Sequence, residues 1–85
     1  MNLLFTEEAW EDYCYWQAHD KKMLKKINAL LKAIKRDPFE GPGKPEPLRY
    51  ELQGCWSRRI DREHRLVYEV LESQINVLAC RYHYD

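Results

Sequence analysis

The apolar positions of this chain change their period once, and that change divides it into a helical half and a strand half. Between residues 20 and 36, Met23, Leu24, Ile27, Leu30, Leu31 and Ile34 recur every three to four residues with lysines between them. That spacing predicts a helix with one buried stripe. Asp20 is suited to cap it, and Asp37-Pro38 ends it, because a residue before proline is pushed out of the helical region. A first helix is predicted over about residues 7–18, with Thr6 as N-cap and Glu7 and Glu8 at the positive end of the helix dipole. Ala9 stands where Glu or Gln would complete a capping box. Trp10, Tyr13, Cys14 and Gln17 are placed on one face of this helix, and the short link to the second predicts an antiparallel hairpin. Before it, residues 2–5 read as a short apolar strand.

Residues 37–47 hold all 4 prolines of the chain and predict a stiff loop. Beyond it, Leu48–Gln53, Trp56–Asp61, Arg65–Val70 and Ile75–Tyr84 are rich in β-branched and aromatic residues, with turn signals at Gly54, Asp61 to Glu63 and Glu72-Ser73. Four strands joined by short connections are antiparallel neighbours. The expected fold is α+β, in the order β-α-α-β-β-β-β: one domain over residues 1–85, with the helical hairpin on one face of a mainly antiparallel sheet and the other face uncovered. Alternation puts Leu66, Tyr68 and Val70 on one side of their strand and Arg65, Val67 and Glu69 on the other. In the last strand it groups Arg81 and His83 with Ile75, Val77 and Ala79, and Cys80, Tyr82 and Tyr84 opposite; a bulge would exchange these sides.

Composition adds limits. The chain has 85 residues, 45% hydrophobic and 33% charged, which is ordinary for a globular domain and unlike a disordered tail. No stretch has the length of a membrane span, and the acidic start lacks the basic region of a secretory signal. The 3 cysteines, Cys14, Cys55 and Cys80, are odd in number and far apart, as in a reduced cytoplasmic protein. The formal net charge of +0 hides an asymmetry: residues 1–20 carry acids and no Lys or Arg, whereas residues 21–36 carry Lys21, Lys22, Lys25, Lys26, Lys32, Lys35 and Arg36 and no acid. Arg58, Arg59, Arg62 and Arg65 add a second basic run, so a local patch can hold a polyanion.

Familiar catalytic motifs are missing. Cys80 and His83 have a C-x-x-H spacing without a second ligand pair, so no metal and no cofactor are expected. The strand half nevertheless carries a carboxylate (Glu46), imidazoles (His64, His83), guanidiniums (Arg65, Arg81) and a phenol (Tyr84). These are the groups needed to cleave RNA without metal: a base for the ribose 2′-OH, an acid for the leaving 5′-oxygen, and a cation for the charge on five-coordinate phosphorus. Arginine suits the last task because its fork stays charged and matches phosphate oxygens. Each residue also has an ordinary reading. Glu46 fits a solvated loop charge, Arg65 a cross-strand partner of Glu63 or Glu69, and His83 and Tyr84 a frayed tail. The lysines at 21–26 fit a solvated helix face, and Trp10, Trp16 and Trp56 core or interface packing.

Several blocks in order alter that balance. Glu11-Asp12-Tyr13 with Tyr15-Trp16, Lys25-Lys26-Ile27-Asn28, Pro38-Phe39-Glu40-Gly41, Gly43-Lys44-Pro45-Glu46-Pro47-Leu48, Trp56-Ser57-Arg58-Arg59-Ile60, Glu63-His64-Arg65-Leu66-Val67-Tyr68 and Ala79-Cys80-Arg81-Tyr82-His83-Tyr84 run nearly end to end. In these the chain resembles YoeB-type toxins of the RelE/ParE toxin–antitoxin superfamily. The resemblance implies a RelE-like microbial RNase fold and a ribosome-dependent endoribonuclease that cuts mRNA in the A site and halts translation. It implies Glu46 as general base, His83 as general acid, Arg65 on the phosphorane and Tyr84 orienting the scissile phosphate. RNA-binding roles follow for Arg49, Arg59, Lys44 and Arg81, and contacts to ribosomal RNA for Lys21, Lys22, Lys25 and Lys26. It further implies a YefM-type antitoxin, repression of operator DNA only together with that antitoxin, a homodimer, and a cytoplasmic protein with no membrane partner. Two departures stand out: Asp85 follows the Tyr84 at which the family motif often stops, and Arg49 stands where Lys is also expected. The alternatives of another class are a non-catalytic relative, either a DNA gyrase inhibitor or a corepressor.

Overall fold

The computed structural model describes residues 1–82. Its elements are β1 (Asn2–Phe5), α1 (Glu7–His19), α2 (Lys21–Arg36), β2 (Glu46–Pro47), a 3-10 turn at Tyr50–Leu52, β3 (Cys55–Arg59), β4 (Arg65–Val70) and β5 (Gln74–Ala79). The strands form one five-stranded sheet in the order β1-β5-β4-β3-β2. Neighbours are antiparallel except β1 and β5, which run parallel. Both helices lie on one face, as the expected fold class requires.

The caps are those the sequence names. The Thr6 hydroxyl accepts from the Ala9 N–H at 3.2 Å, and Asp20 Oδ1 accepts from Lys22 and Met23. The stripe of α2 buries Met23, Ile27, Leu30, Leu31 and Ile34 against Leu66, Tyr68, Ile75 and Val77 of the sheet. Helix α1 does not bury the shared face of Trp10, Tyr13, Cys14 and Gln17 as a whole. Ala9 and Trp16 are buried, while Trp10 is 53% exposed and Gln17 is exposed. The reason is polar: the Trp16 indole donates to the Cys80 carbonyl at 2.8 Å, and Asp12 Oδ2 accepts from the Cys80 N–H at 3.0 Å. An inward face that includes a carboxylate escapes a search for apolar spacing.

Three strand expectations need correction. Residues 48–53 are not a strand: only Glu46–Pro47 pair with β3, and the chain then curls into the 3-10 turn with Tyr50 at φ 59°. That turn lays Leu48 and Leu52 over Cys55 and Val67, so the outer face of the sheet is partly covered by a small second cluster. The last strand stops at Ala79, and Tyr82 adopts φ 63°. Within it a bulge at Leu78 lets Tyr68 pair with Val77 while Val67 pairs with Ala79. The extra residue reverses the sides, so Cys80 rather than Ala79 joins Ile75 and Val77 in the main core.

The proline-rich segment is fixed by Arg58, which is fully buried. Its Nε donates to Tyr68 Oη at 3.0 Å, Nη1 to the Pro42 carbonyl at 3.2 Å, and Nη2 to the carbonyls of Asp37 at 2.6 Å and Glu40 at 3.1 Å. Tyr68 Oη donates onward to the Pro38 carbonyl at 2.6 Å. A buried cation is tolerated only when its donors are met, and this one meets them with backbone that has no ladder partner. Gly43, at φ 87°, passes so close that a Cβ there would lie 3.0 Å from both Arg58 Cβ and Leu30 Cδ2. Only glycine fits both the dihedral and the gap.

Candidate active site

Register decides which groups share the outer face. Glu46 opposes Ser57, Ser57 opposes Val67, and Val67 opposes Ala79, forming one row across the sheet. Two residues along β3, Arg59 opposes Arg65. Opposed residues share a face, and diagonal neighbours lie within reach of long side chains. Glu46, Arg59 and Arg65 therefore meet at one corner of the outer face. Glu46 and Arg59 are exposed, and Arg65 is half-buried.

Arg65 is held in place by its own turn. Its Nη1 donates to the carbonyls of Asp61 at 2.8 Å and His64 at 3.1 Å, which leaves other donors of the fork for a ligand. The cross-strand ion pair with Glu63 or Glu69 does not form, and among the described residues no carboxylate pairs with Arg59 or Arg65. The turn itself is tied by Asp61 Oδ1, which accepts from the N–H groups of Glu63 at 2.8 Å and His64 at 2.7 Å. Burial alone would raise the Asp61 carboxyl, but these two bonds, together with the neighbouring His64 and Lys26 side chains, outweigh it and hold the carboxyl below its ordinary value.

Around this corner, Lys44 and Arg49 are exposed on the segment that flanks Glu46. A groove of about 360 Å³ runs along residues Glu46 to Leu52. Arg58 leaves the basic run, since it is interior. Arg81 does not join the corner: its guanidinium stacks over the Tyr15 ring of α1 at 3.4 Å and over Tyr82 at 4.7 Å. That stacking sets its guanidinium against α1. Lys21, Lys22, Lys25 and Lys26 are exposed along α2, as a solvated face requires. His83 and Tyr84 lie outside the described residues, but the chain leading to them is placed. The Arg65 N–H donates to the Tyr82 carbonyl at 3.1 Å, so residue 82 lies beside the corner.

Among the described residues no group of three or more His, Cys, Asp or Glu is gathered as a metal site. Cys80 is buried, and burial, aided by the Asp12 charge, pushes its thiol up to about 12, unlike a metal-binding thiolate. No helix among the described residues is long and apolar enough to cross a membrane.

The family model for the YoeB-like toxin of bacterial type II toxin–antitoxin systems matches residues 5–84. The chain belongs to this family. Toxin YoeB of Escherichia coli K12 is 58% identical over 84 residues, covering 99% of this chain and all of the relative. A YoeB/ParE toxin from Agrobacterium tumefaciens superposes with a TM-score of 0.96 at 50% identity, covering 99% of this chain and 100% of that one. A Staphylococcus aureus YoeB dimer superposes with a TM-score of 0.92 at 54% identity, covering 99% and 98%. From the same organism, a heterotetrameric YoeB–YefM toxin–antitoxin complex gives 0.91 at 54%, with the same coverage. This YoeB-family chain is thus a toxin of a type II system, in a family whose members are generally endoribonucleases.

Sequence reasoning named one residue of this toxin's site region without finding its partner. His64 is 8% exposed, with its ring edge-on to Trp16 at 4.8 Å. Its Nδ1 accepts the Tyr82 backbone N–H at 2.7 Å. The sequence marked His64 as an imidazole beside Arg65, but no spacing rule links it to a residue 18 positions away.

Proposed function

We propose that this toxin is a metal-independent, ribosome-dependent endoribonuclease that cuts mRNA in the ribosomal A site. The observation that supports it is the joining of Glu46, Arg59 and Arg65 at one corner of the outer face, beside the Tyr82 peptide that leads to His83 and Tyr84. Glu46 takes the proton of the ribose 2′-OH, and the 2′-oxygen forms a bond to phosphorus. The bond from phosphorus to the 5′-oxygen breaks, and His83 gives that oxygen a proton. A 2′,3′-cyclic phosphate and a 5′-hydroxyl result. Arg65 offsets the charge that builds on phosphorus, where a preformed cation acts most strongly. Tyr84 orients the scissile phosphate, Arg49, Arg59 and Lys44 hold neighbouring phosphates, and the α2 lysines Lys21, Lys22, Lys25 and Lys26 face ribosomal RNA.

Partners follow the relatives. The toxin pairs as a homodimer, as the Staphylococcus aureus YoeB does, and is neutralised by a YefM-type antitoxin, as in that organism's complex. With its antitoxin it represses its own operator, and both act in the cytoplasm.

The decisive experiment is cleavage of a defined mRNA on programmed ribosomes. A 2′-deoxynucleotide at the cut site abolishes cleavage, and Glu46→Gln lowers the rate by about 10²–10⁴-fold, the scale of one acid–base contribution. The melting temperature stays near wild type, because Glu46 is exposed. Equal cutting of the deoxy substrate overturns the 2′-OH mechanism. No cutting by the wild type, together with blocked DNA supercoiling, favours a non-catalytic binding protein.

A further inference from the structure

The segment from Cys80 to Tyr82, which precedes two of the proposed catalytic residues, is held by side chains from elsewhere in the fold. Trp16 and Asp12 of α1 take the carbonyl and N–H of Cys80. His64 takes the N–H of Tyr82, and the next residue's backbone, the Arg65 N–H, takes the Tyr82 carbonyl. The Tyr82 peptide is therefore gripped on both sides by His64-Arg65. Tyr82 also sits at φ 63°, a left-handed conformation that a non-glycine residue keeps only when its surroundings fix it.

We propose that His64 is a positioning residue for the terminal catalytic segment: its neutral imidazole fixes the direction in which the chain enters His83 and Tyr84. This rests on the endoribonuclease reading above. The hydrogen bond settles the tautomer. Nδ1 accepts a hydrogen bond from the Tyr82 N–H, so a neutral ring carries its own proton on Nε2. A second proton on the ring would occupy Nδ1 and release Tyr82. The clasp thus needs His64 uncharged, whereas the proposed acid, His83, must carry a proton to give.

The charged groups around the ring pull in opposing directions. Glu63 Oε1 is 3.5 Å from Nε2 and favours the charged ring, as does Asp61 in the same turn. Arg65 on β4 and Arg81 beside Tyr82 oppose it, while Lys26 of α2 acts on Asp61. From α1 the ring meets Trp16, which is uncharged. The ring itself is buried and touches Glu63, Trp16 and Tyr82.

The test pairs two substitutions with one resonance. The amide oxygen of asparagine sits where Nδ1 does and accepts without titrating, whereas that of glutamine lies one atom further out. On programmed ribosomes His64→Gln and His64→Ala are expected to lose about 10–100-fold in kcat with KM little changed, since small misplacement of a reacting group has that scale. His64→Asn is expected to recover most of the rate and to lack the acid-side decline expected of the wild type. In the free protein, the Tyr82 amide proton, observed by NMR, shifts on acidification in the wild type and stays put in His64→Asn. Gln as active as Asn in a folded protein overturns the proposal. So does a wild-type Tyr82 amide that ignores acid, and this readout decides the matter even if the variants fail to fold. If the wild type cuts no RNA while the Tyr82 amide titrates as described, the endoribonuclease reading fails and the clasp stands as a backbone lock alone.

Discussion

On the helix-covered face of the sheet Arg58 is fully buried, with its guanidinium spent on Tyr68 Oη and the carbonyls of Asp37, Glu40 and Pro42. One residue further along β3, Arg59 stands exposed on the outer face opposite Arg65. Strand alternation alone separates them. The covered face uses a guanidinium to satisfy backbone that has left the sheet. The outer face leaves guanidiniums without carboxylate partners, available to a polyanion. Two adjacent residues of one type thus do different work, and a basic run in sequence overstates the charge that a surface presents.

The sharpest way to break that contrast is to remove the buried member. Arg58→Met keeps volume but leaves Tyr68 Oη and the carbonyls of Asp37, Glu40 and Pro42 without their donor. Each buried, unpaired polar group costs about 1–3 kcal/mol, and partial rehydration of the loop limits the sum. We expect a loss of about 3–5 kcal/mol in urea unfolding, a large share of the stability of a domain this size. Arg58→Lys does not rescue it, because an ammonium cannot reach acceptors spread over a planar fork. A loss below about 1 kcal/mol refutes the clamp.

How far the sequence carried this argument depends on what each element buries. Helix α2 was legible because its inward face is wholly apolar: Met23, Ile27, Leu30, Leu31 and Ile34. The caps Thr6 and Asp20 were legible because they act over two or three residues. The inward face of α1 was not, since Asp12 and the Trp16 indole find their partners at Cys80, more than 60 residues away. Leu48–Gln53 read as a strand because its composition permits one, but Tyr50 takes a left-handed turn there. The bulge at Leu78 leaves no trace in the pattern and reverses the sides predicted for Ala79 and Cys80. At the site, Glu46, Arg59 and Arg65 were named from residue type and resemblance, and the ladder register brings them together. His64 and the true place of Arg81 depend on tertiary contacts that no local rule contains.

A smaller effect sharpens the comparison from the outer face. Asp61 ties the turn that presents Arg65, and its carboxyl is held below the ordinary 3.8. A carboxyl lowered on folding adds stability above its unfolded value, and that stability is lost as pH falls through the lower folded value. Asp61→Ala is therefore expected to lose about 1 kcal/mol at neutral pH, as for other side chains that cap backbone N–H groups. The gap to wild type narrows below about pH 4. Urea unfolding across that range checks it: a gap that is constant down to the acid transition excludes a role for the charge. A gap that widens in acid reverses the sign of the argument.

The smallest expected change in stability belongs to Arg59. The side chain is exposed, has no carboxylate partner among the described residues, and covers none of the buried core. Arg59→Gln should move the unfolding free energy by less than about 0.5 kcal/mol, an order below Arg58→Met, although the two sites are adjacent. Its consequence appears instead in RNA affinity. A guanidinium that neutralises one phosphate of a single strand releases counterions, so its loss flattens the slope of log K against log salt by about 0.7. Binding of an uncleavable 2′-deoxy mRNA to toxin-loaded ribosomes, measured from low to moderate salt, reads that slope. A flattened slope with unchanged stability assigns Arg59 to the phosphate path. An unchanged slope removes it from that path and leaves Lys44, Arg49 and Arg65 as the cations around the corner to be tested in the same way.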